Sequence, residues 1–534
     1  MNVSRQVRHV RRHARRTSHQ VQRWSRRHAR QGRHAYYRAR REVRPLWREV
    51  EAYPRQGLAV ARDWLDDATR DLRRGDLRAV ALFLLLVTFA LLPLQNLRAT
   101  SGVAAADLVL GLAAVAALVS RHARPAARPL PHLLRNGLGL MVLGGAVGLV
   151  FADERMASLR LLARLAIVVA LAFVAVVRVA PSGREVRRLL IAFVVIGAVS
   201  GALSSLGDVT GLPLLDRSTF GDRAVGLTVL RYPVLDYLRG TTGSSVSIAI
   251  NPNLFGGVSA VGGAIALILL IEATTWRTRT VLALSFGGLA LGVLFSGSRS
   301  ALLALLVGCL PAVWRLVRRG FGRRVMIGAA AIAALIAVAA LTTVQAPSLD
   351  RLLMRPGSAD AERTAESTIL RYQNATRGLE ERGWHSLGTG SGLRDDAASA
   401  LHDGHLEIWV GLGLIGLVGW ILLCTGTIES GVRYAGRAGP LTQRQIALLA
   451  VGAGFAANVA VTLFVDTIWN RYIWLLVALV VTLAIRPHGV DAPARDGLVG
   501  ESDARTDRGA DSLDDAEPVT VAVRRSRPGA SIST

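Results

Sequence analysis

The sequence predicts an all-α, polytopic integral membrane protein of about twelve transmembrane helices. Of its 534 residues, 51% are hydrophobic, and the mean hydropathy is +0.36. The apolar residues gather in runs of roughly 20, the length that an α-helix needs to cross a bilayer. The loops between the runs alternate between strongly basic and balanced or acidic, which is typical of a multi-pass membrane protein.

Twelve apolar runs define the predicted spans of a membrane domain over residues 79–485. Basic loops face the cytosol, so both termini are predicted to be cytosolic and the protein to lie in the cytoplasmic membrane. Many glycines and alanines in the runs predict close helix packing. The runs are centred near Leu86, Gly111, Val142, Val169, Val195, Gly262, Leu289, Leu306, Ala334, Gly416, Phe455 and Val480.

Two polar segments flank the membrane domain. The net charge of +26 is carried by arginine, and residues 1–78 hold a large share of it. We predict that this basic cytosolic segment contacts anionic membrane lipids. Nucleic-acid binding is the rival interpretation, and we do not expect it because no aromatic interleaving accompanies the charge. Residues 486–534 are predicted to form a disordered cytosolic tail.

Two long loops are predicted on the outer side of the membrane, over residues 208–245 and 345–403. The second comes just before the tenth predicted helix and is too polar to be another span. Loops far longer than a connection requires are usually functional or disordered.

The segment "ALHDGHLEIWVGLGLIG" places His402, Asp403, His405 and Glu407 directly before an apolar stretch. The two histidines and Glu407 can face one point, as zinc ligands sometimes do. The spacing is not that of a common zinc motif, and Cys309 and Cys424 lie in separate runs, so no metal is predicted. The plain alternative makes Asp403 a helix N-cap with Glu407 near the positive helix end. That alternative leaves His402 unexplained.

Two further polar stretches are predicted at the outer ends of spans. "SGSRS" places Arg299 at the turn between the seventh and eighth spans, where it either extends to lipid phosphate or forms an anion site. In "NPN", Asn251 and Asn253 flank a proline that we expect to kink or break the sixth span, with the asparagines bonding the freed backbone groups.

The large outer loop contains "STILRYQNATRGLEERGWHSLGTGSGL". The part from Arg371 to Gly383 is predicted to be an amphipathic helix. His385 and a glycine turn follow it, and glycine amides can approach a sugar or phosphate closely. The outer face therefore collects two arginines and a histidine.

These motifs resemble a known family. "HDGHLEIWVGLGLIG" is similar to the O-antigen ligase signature, which has a histidine, a small polar residue, nine residues and Gly-x-x-Gly. Here these are His402, Asp403, Gly413 and Gly416. Asp403 departs from the asparagine, serine or glutamine usual there. "SGSRS", "NPN" and "LRYQNA" with "HSLGTGSG" also resemble the shared domain of O-antigen ligases and polymerases, over roughly residues 232–419.

The resemblance implies transfer of a glycan from a polyprenyl-diphosphate donor to a hydroxyl of a lipid or sugar acceptor. It implies no metal, nucleotide or other cofactor. His402 takes the role of catalytic base, and Arg299 and Arg371 contact the donor diphosphate. Asp403 and His385 are candidate supporting residues, as are the asparagines Asn251 and Asn253.

The chemistry suits these residue types. A diphosphate on the anomeric carbon is already a good leaving group, so the reaction needs charge stabilisation and a base for the attacking hydroxyl. Two arginines supply the first, and a histidine with an ordinary pKa of about 6.5 supplies the second. Direct displacement predicts inversion at the anomeric carbon. Ligase and polymerase are not separated by these motifs.

Two other classes compete with this interpretation. A secondary transporter is favoured by the even span count and by Asp107 and Arg164, which are ionisable residues within apolar runs. Against a transporter, no repeat relates the two halves. An intramembrane serine protease would pair Ser391 or Ser298 with His402, but these serines lie in a loop or at a span end.

Overall fold

The computed structural model describes eleven α-helices within residues 77–94, 105–120, 129–152, 155–210, 252–296, 298–321, 373, 404–464 and 470–485. No strand occurs in these ranges. The helices are α1 (Arg78–Leu91, extended by a 3-10 turn Leu92–Leu94), α2 (Ala105–Val119), α3 (His132–Val150), α4 (Arg155–Val179), α5 (Gly183–Thr210), α6 (Pro252–Ile271), α7 (Trp276–Phe295), α8 (Arg299–Arg318), α9 (Gly404–Val432), α10 (Gln443–Thr462) and α11 (Arg471–Ile485).

The described helices make this chain a helical membrane protein. Eight of them, α3 to α10, are long and apolar enough to cross a bilayer, and α1, α2 and α11 are shorter apolar helices. Each of the eleven coincides with one predicted apolar run. The run near Ala334, both terminal segments and nearly all of the two predicted outer loops lie outside the described residues.

Local side-chain chemistry explains where several helices begin. At α5, the Ser182 hydroxyl accepts from the Glu185 backbone N–H while the Glu185 carboxylate accepts from the Ser182 N–H at 2.6 Å, which is a capping box. Thr442 and Gln445 form the same arrangement at α10. These caps provide hydrogen-bond acceptors for backbone N–H groups at the start of the helix, which have no partner within the helix itself.

Pro252 is the first residue of α6, directly after residues that lie outside the described ranges, so the expected kink or break of the helix at this proline stays a prediction. Proline is accepted at this position because its missing N–H would have no partner within the helix, and its fixed φ already suits helical backbone.

Contacts at glycines show the relative directions of α6, α8 and α10. A Cβ on Gly256 of α6 would lie 2.7 Å from that of Ala301 on α8, and one on Gly308 of α8 would lie 2.6 Å from that of Ala264 on α6, so α6 and α8 are parallel. α10 is antiparallel to α6, because Gly257 contacts Val461 and Gly454 contacts Ile265. These contacts confirm the predicted close packing, which small residues permit.

The two ends of this helix bundle differ in charge. We call the end where α6 and α8 begin the Arg299 end, and the other the basic end. Arginines of the basic end include Arg184, Arg187, Arg188, Arg277, Arg279, Arg318, Arg433 and Arg437.

A buried ion pair joins helices at the basic end. The Glu272 carboxylate, at the end of α6, accepts from Arg315 of α8 at 2.9 Å and from Arg319 at 2.6 Å. Arg315 is completely buried and also donates to the Gly439 carbonyl at 2.6 Å, in the loop between α9 and α10. This network therefore holds the basic ends of α6 and α8, whose other ends form part of the candidate site.

Candidate functional site

The turn between α7 and α8 presents Arg299 at the start of a helix. Arg299 is exposed and is the first residue of α8, as predicted for a turn between two spans. Ser298 caps this helix: its hydroxyl accepts from the Ala301 N–H at 3.3 Å and lies 2.9 Å from the Ser300 hydroxyl. Ser296 donates to the Val293 carbonyl at 2.7 Å. The serines thus shape the turn that carries Arg299, and a capping role accounts for Ser298 without nucleophilic chemistry.

The "SGSRS" and "NPNLFGG" motifs lie side by side. A Cβ built on Gly256 would be 2.5 Å from the Ser296 hydroxyl oxygen, so the Ser296 side chain leaves no space for a side chain at Gly256. This brings the first turns of α6 and α8 together. Asn253 lies in that first turn of α6, while Asn251 lies outside the described residues.

The predicted base is next to the start of α9. His402 and Asp403 directly precede Gly404, the first residue of the helix, and lie outside the described part of the chain together with Arg371 and His385. Glu407 is inside the helix, as expected, and only 1% exposed. His405 is half-buried.

Helix α9 is bent at Gly413. This glycine has a φ of 69°, so the helix consists of a short half-helix, Gly404–Leu412, followed by a longer segment up to Val432. A positive φ is costly for any residue with a Cβ, which explains why a glycine is required here. The first glycine of the Gly-x-x-Gly motif therefore redirects the helix that follows His402.

The second glycine of that motif, Gly416, allows α3 and α9 to approach each other closely. A Cβ on Gly416 would overlap the Leu412 Cβ, and a Cβ on Gly144 of α3 would lie 2.5 Å from the Gly416 nitrogen. The same close contact continues along the pair, where Gly137 of α3 meets Gly419 and Leu423. Helices α3 and α9 therefore pack backbone against backbone, and the bend is held against α3.

The bend of α9 and the Arg299 turn lie at the same end of the bundle. The long segment of α9 is antiparallel to α10, because Gly431 contacts Leu448 and Gly452 while Trp420 contacts Phe455. α10 is in turn antiparallel to α6, and α6 is parallel to α8. The start of the long segment, at Gly413, is therefore at the same end as the start of α8, and Arg299 shares this end with the bend of α9.

The residues described here do not form a metal site. No group of three His, Cys, Asp or Glu side chains suited to a metal ion occurs within the described ranges. His405 and Glu407 do not complete such a set there. His402 and Asp403 fall outside these ranges, so the prediction that no metal binds stays a prediction.

One of the two ionisable residues that suggested a transporter has a local explanation. Asp107 forms an ion pair with Arg471, at the first residue of α11, and the Arg471 Nη2 to Asp107 Oδ2 distance is 2.5 Å. The pair lies at the Arg299 end and joins α2 to α11. Arg164 is exposed on α4 and is not part of this pair.

Sequence reasoning missed Trp420, a residue of the bent helix. It is completely buried, and the centroid of its ring lies 6.4 Å from that of the His405 ring, with the two planes at 72°. The sequence feature closest to this contact was the pair Gly413 and Gly416. That pair predicts a motif but not the change in helix direction that brings His405 to Trp420.

In comparisons with known proteins, the chain matches no protein-family model and no curated protein sequence.

Proposed function

We propose that this chain is a membrane glycosyltransferase that moves a glycan from a polyprenyl-diphosphate donor to a hydroxyl of a lipid or sugar acceptor. The observation that carries the proposal is the common placement of Arg299 and the bend of α9. The exposed residue Arg299 and the Gly413 bend, which ends the half-helix that follows His402 in sequence, share one end of the bundle. The reaction needs this combination of a cation for the diphosphate and a base for the hydroxyl.

Arg299 is suited to bind the diphosphate. Its planar guanidinium donates two parallel hydrogen bonds to phosphate oxygens, and its charge does not depend on pH. The residue begins α8, so the N-terminal end of that helix adds a partial positive charge at the same place. As the bond from the anomeric carbon to the diphosphate breaks, negative charge grows on the leaving oxygens, and these groups stabilise it. Arg371 is the proposed second cation.

His402 is the proposed base. Its neutral imidazole accepts the proton of the acceptor hydroxyl while that oxygen attacks the anomeric carbon. One bond to the sugar forms as the bond to diphosphate breaks, so the anomeric configuration inverts. Asp403 is adjacent and is proposed to orient the imidazole.

The proposed orientation places the Arg299 end outside the cytoplasmic membrane. Arginines are concentrated at the basic end, and basic loops remain in the cytosol. With a twelfth span near Ala334, both termini are cytosolic. The donor glycan then meets the site on the outer face.

Mass spectrometry of surface glycans and lipid-linked intermediates, in cells with and without this protein, tests the proposal. Accumulated lipid-linked long chains indicate a ligase, and accumulated single repeat units indicate a polymerase of the same type. Purified protein should then transfer glycan from the accumulated intermediate to an acceptor. Unchanged glycans and intermediates in cells that lack the protein would contradict the proposal.

A further inference from the structure

The contact between His405 and Trp420 spans the bend of α9. Fifteen positions separate the two residues, so a straight helix would place them roughly 22 Å apart along its axis. Their ring centroids are 6.4 Å apart. Side chains do not cover that difference, so the half-helix Gly404–Leu412 folds back along the longer segment of its own helix.

The fold-back places the half-helix inside the protein rather than at its surface. Ile408 and Leu412 are at most 2% exposed, and Glu407 is 1% exposed. A Cβ on Gly145 of α3 would lie 3.7 Å from Leu412 Cδ2, so the tip of the half-helix packs against α3. An ionisable side chain such as Glu407 within a membrane domain faces protein or water rather than lipid, in keeping with this burial.

Trp420 is the rigid side of the contact. Its ring centroid lies 6.5 Å from that of Phe455 on α10 and 6.2 Å from that of Trp474 on α11. Aromatic side chains of α10 and α11 thus hold the indole, and each aromatic pair contributes about 0.5–1.5 kcal/mol beyond its burial. His405 packs in a T-shaped arrangement on this fixed ring, so the indole limits the positions open to the half-helix.

We infer that Trp420 is a positioning residue for the half-helix and, through it, for His402. This inference rests on the proposed function. His402 precedes Gly404 by two residues in the sequence, so the half-helix is the described element nearest to the proposed base along the chain. Trp420 acts through His405 and touches no substrate. Its loss lets the half-helix move while leaving the Arg299 turn, which belongs to other helices, in place.

Steady-state kinetics of the purified full chain test the catalytic part of this inference. Trp420→Ala should lower kcat on the order of 10²-fold, since a displacement of 1 Å can cost that much, while the KM for donor stays near the wild-type value. Trp420→Phe keeps an aromatic surface and should recover most of the rate. Trp314→Ala removes a tryptophan that is 51% exposed at the basic end and serves as the matched control, with kinetics unchanged.

Hydrogen exchange tests the structural part without relying on activity. In Trp420→Ala, amides of residues 404–412 should exchange faster, while those of α10 keep their protection. His405→Ala should have the same local effect, and His405→Phe, which retains a ring, should not. The two His405 variants alter a half-buried side chain. They keep the test possible if Trp420→Ala fails to fold.

The outcomes separate the two levels of the inference. Unchanged exchange of residues 404–412 in both Trp420→Ala and His405→Ala would overturn the positioning role, whatever the activity. Faster exchange with a wild-type kcat would overturn the link to catalysis. If the wild-type chain transfers no glycan, the proposed function is wrong, and the exchange comparison still decides whether Trp420 holds the half-helix.

Discussion

Gly144 of α3 and Gly416 of α9 are in backbone contact. A Cβ on Gly144 would lie 2.5 Å from the Gly416 nitrogen and 2.6 Å from the Leu412 carbonyl oxygen, directly beside the bend of α9. We therefore expect Gly144→Ala to separate α3 from α9 and to destabilise the protein by about 1–3 kcal/mol, as overpacking typically does. Thermal unfolding in detergent measures this as a lower Tm.

Gly139 of α3 is the matched control. A Cβ there meets no atom within 4 Å, so Gly139→Ala should be neutral or raise stability by up to about 1 kcal/mol through helix propensity. Equal Tm values for the two variants would mean that the contact between Gly144 and Gly416 does not constrain the bundle.

The ion pair between Glu272 and Arg315 predicts a large effect at the basic end. Glu272→Gln removes the charge that compensates the completely buried Arg315, and breaking a buried pair in this way typically costs about 3–5 kcal/mol. Glu185→Gln is the control, because its side chain is 19% exposed and its partner Arg78 is 22% exposed. The control should lower Tm less, and a reversed order would exclude Glu272 as the main electrostatic contact between α6 and α8.

The charge difference between the two ends predicts the orientation in the membrane. Single cysteines are placed at Arg155 and Thr274, both exposed and at opposite ends of the bundle, in a chain with Cys309 and Cys424 replaced by alanine. An impermeant thiol reagent added to intact cells should label Arg155→Cys and spare Thr274→Cys, because the arginine-rich end stays in the cytosol. Labelling of Thr274→Cys alone would reverse the proposed orientation.

The proposed base and the proposed cations predict different kinetic defects. His402→Ala should lower kcat about 10²–10⁴-fold with little change in donor affinity, because the imidazole acts on the acceptor hydroxyl. Arg299→Lys and Arg371→Lys keep the charge but lose the planar fork, so both donor binding and turnover should weaken.

Purified variants are compared by lipid-linked donor turnover and by donor binding, after their Tm values have been checked. A folded His402→Ala protein with the wild-type rate would remove His402 from the mechanism. Normal donor binding in both arginine variants would remove the cation roles from Arg299 and Arg371.

The sequence alone was enough to predict the membrane class and the positions of the described helices. Spanning a bilayer depends on the hydropathy of about twenty consecutive residues, which is a local property. The starts of α8 and α9, next to Arg299 and His402, follow from it as well. At Pro252 local reasoning does not choose between two structures, since a proline can begin a helix as well as interrupt one, and its neighbours in sequence do not decide between the two.

The tertiary structure decided which distant residues meet. Hydropathy does not indicate that Asp107 pairs with Arg471 or that Gly144 lies against Gly416, because each pair joins helices far apart in the chain. The reversal at Gly413 has the same origin. A glycine permits a positive φ but does not impose it, and only packing against α3 and the fixed ring of Trp420 selects the folded-back half-helix.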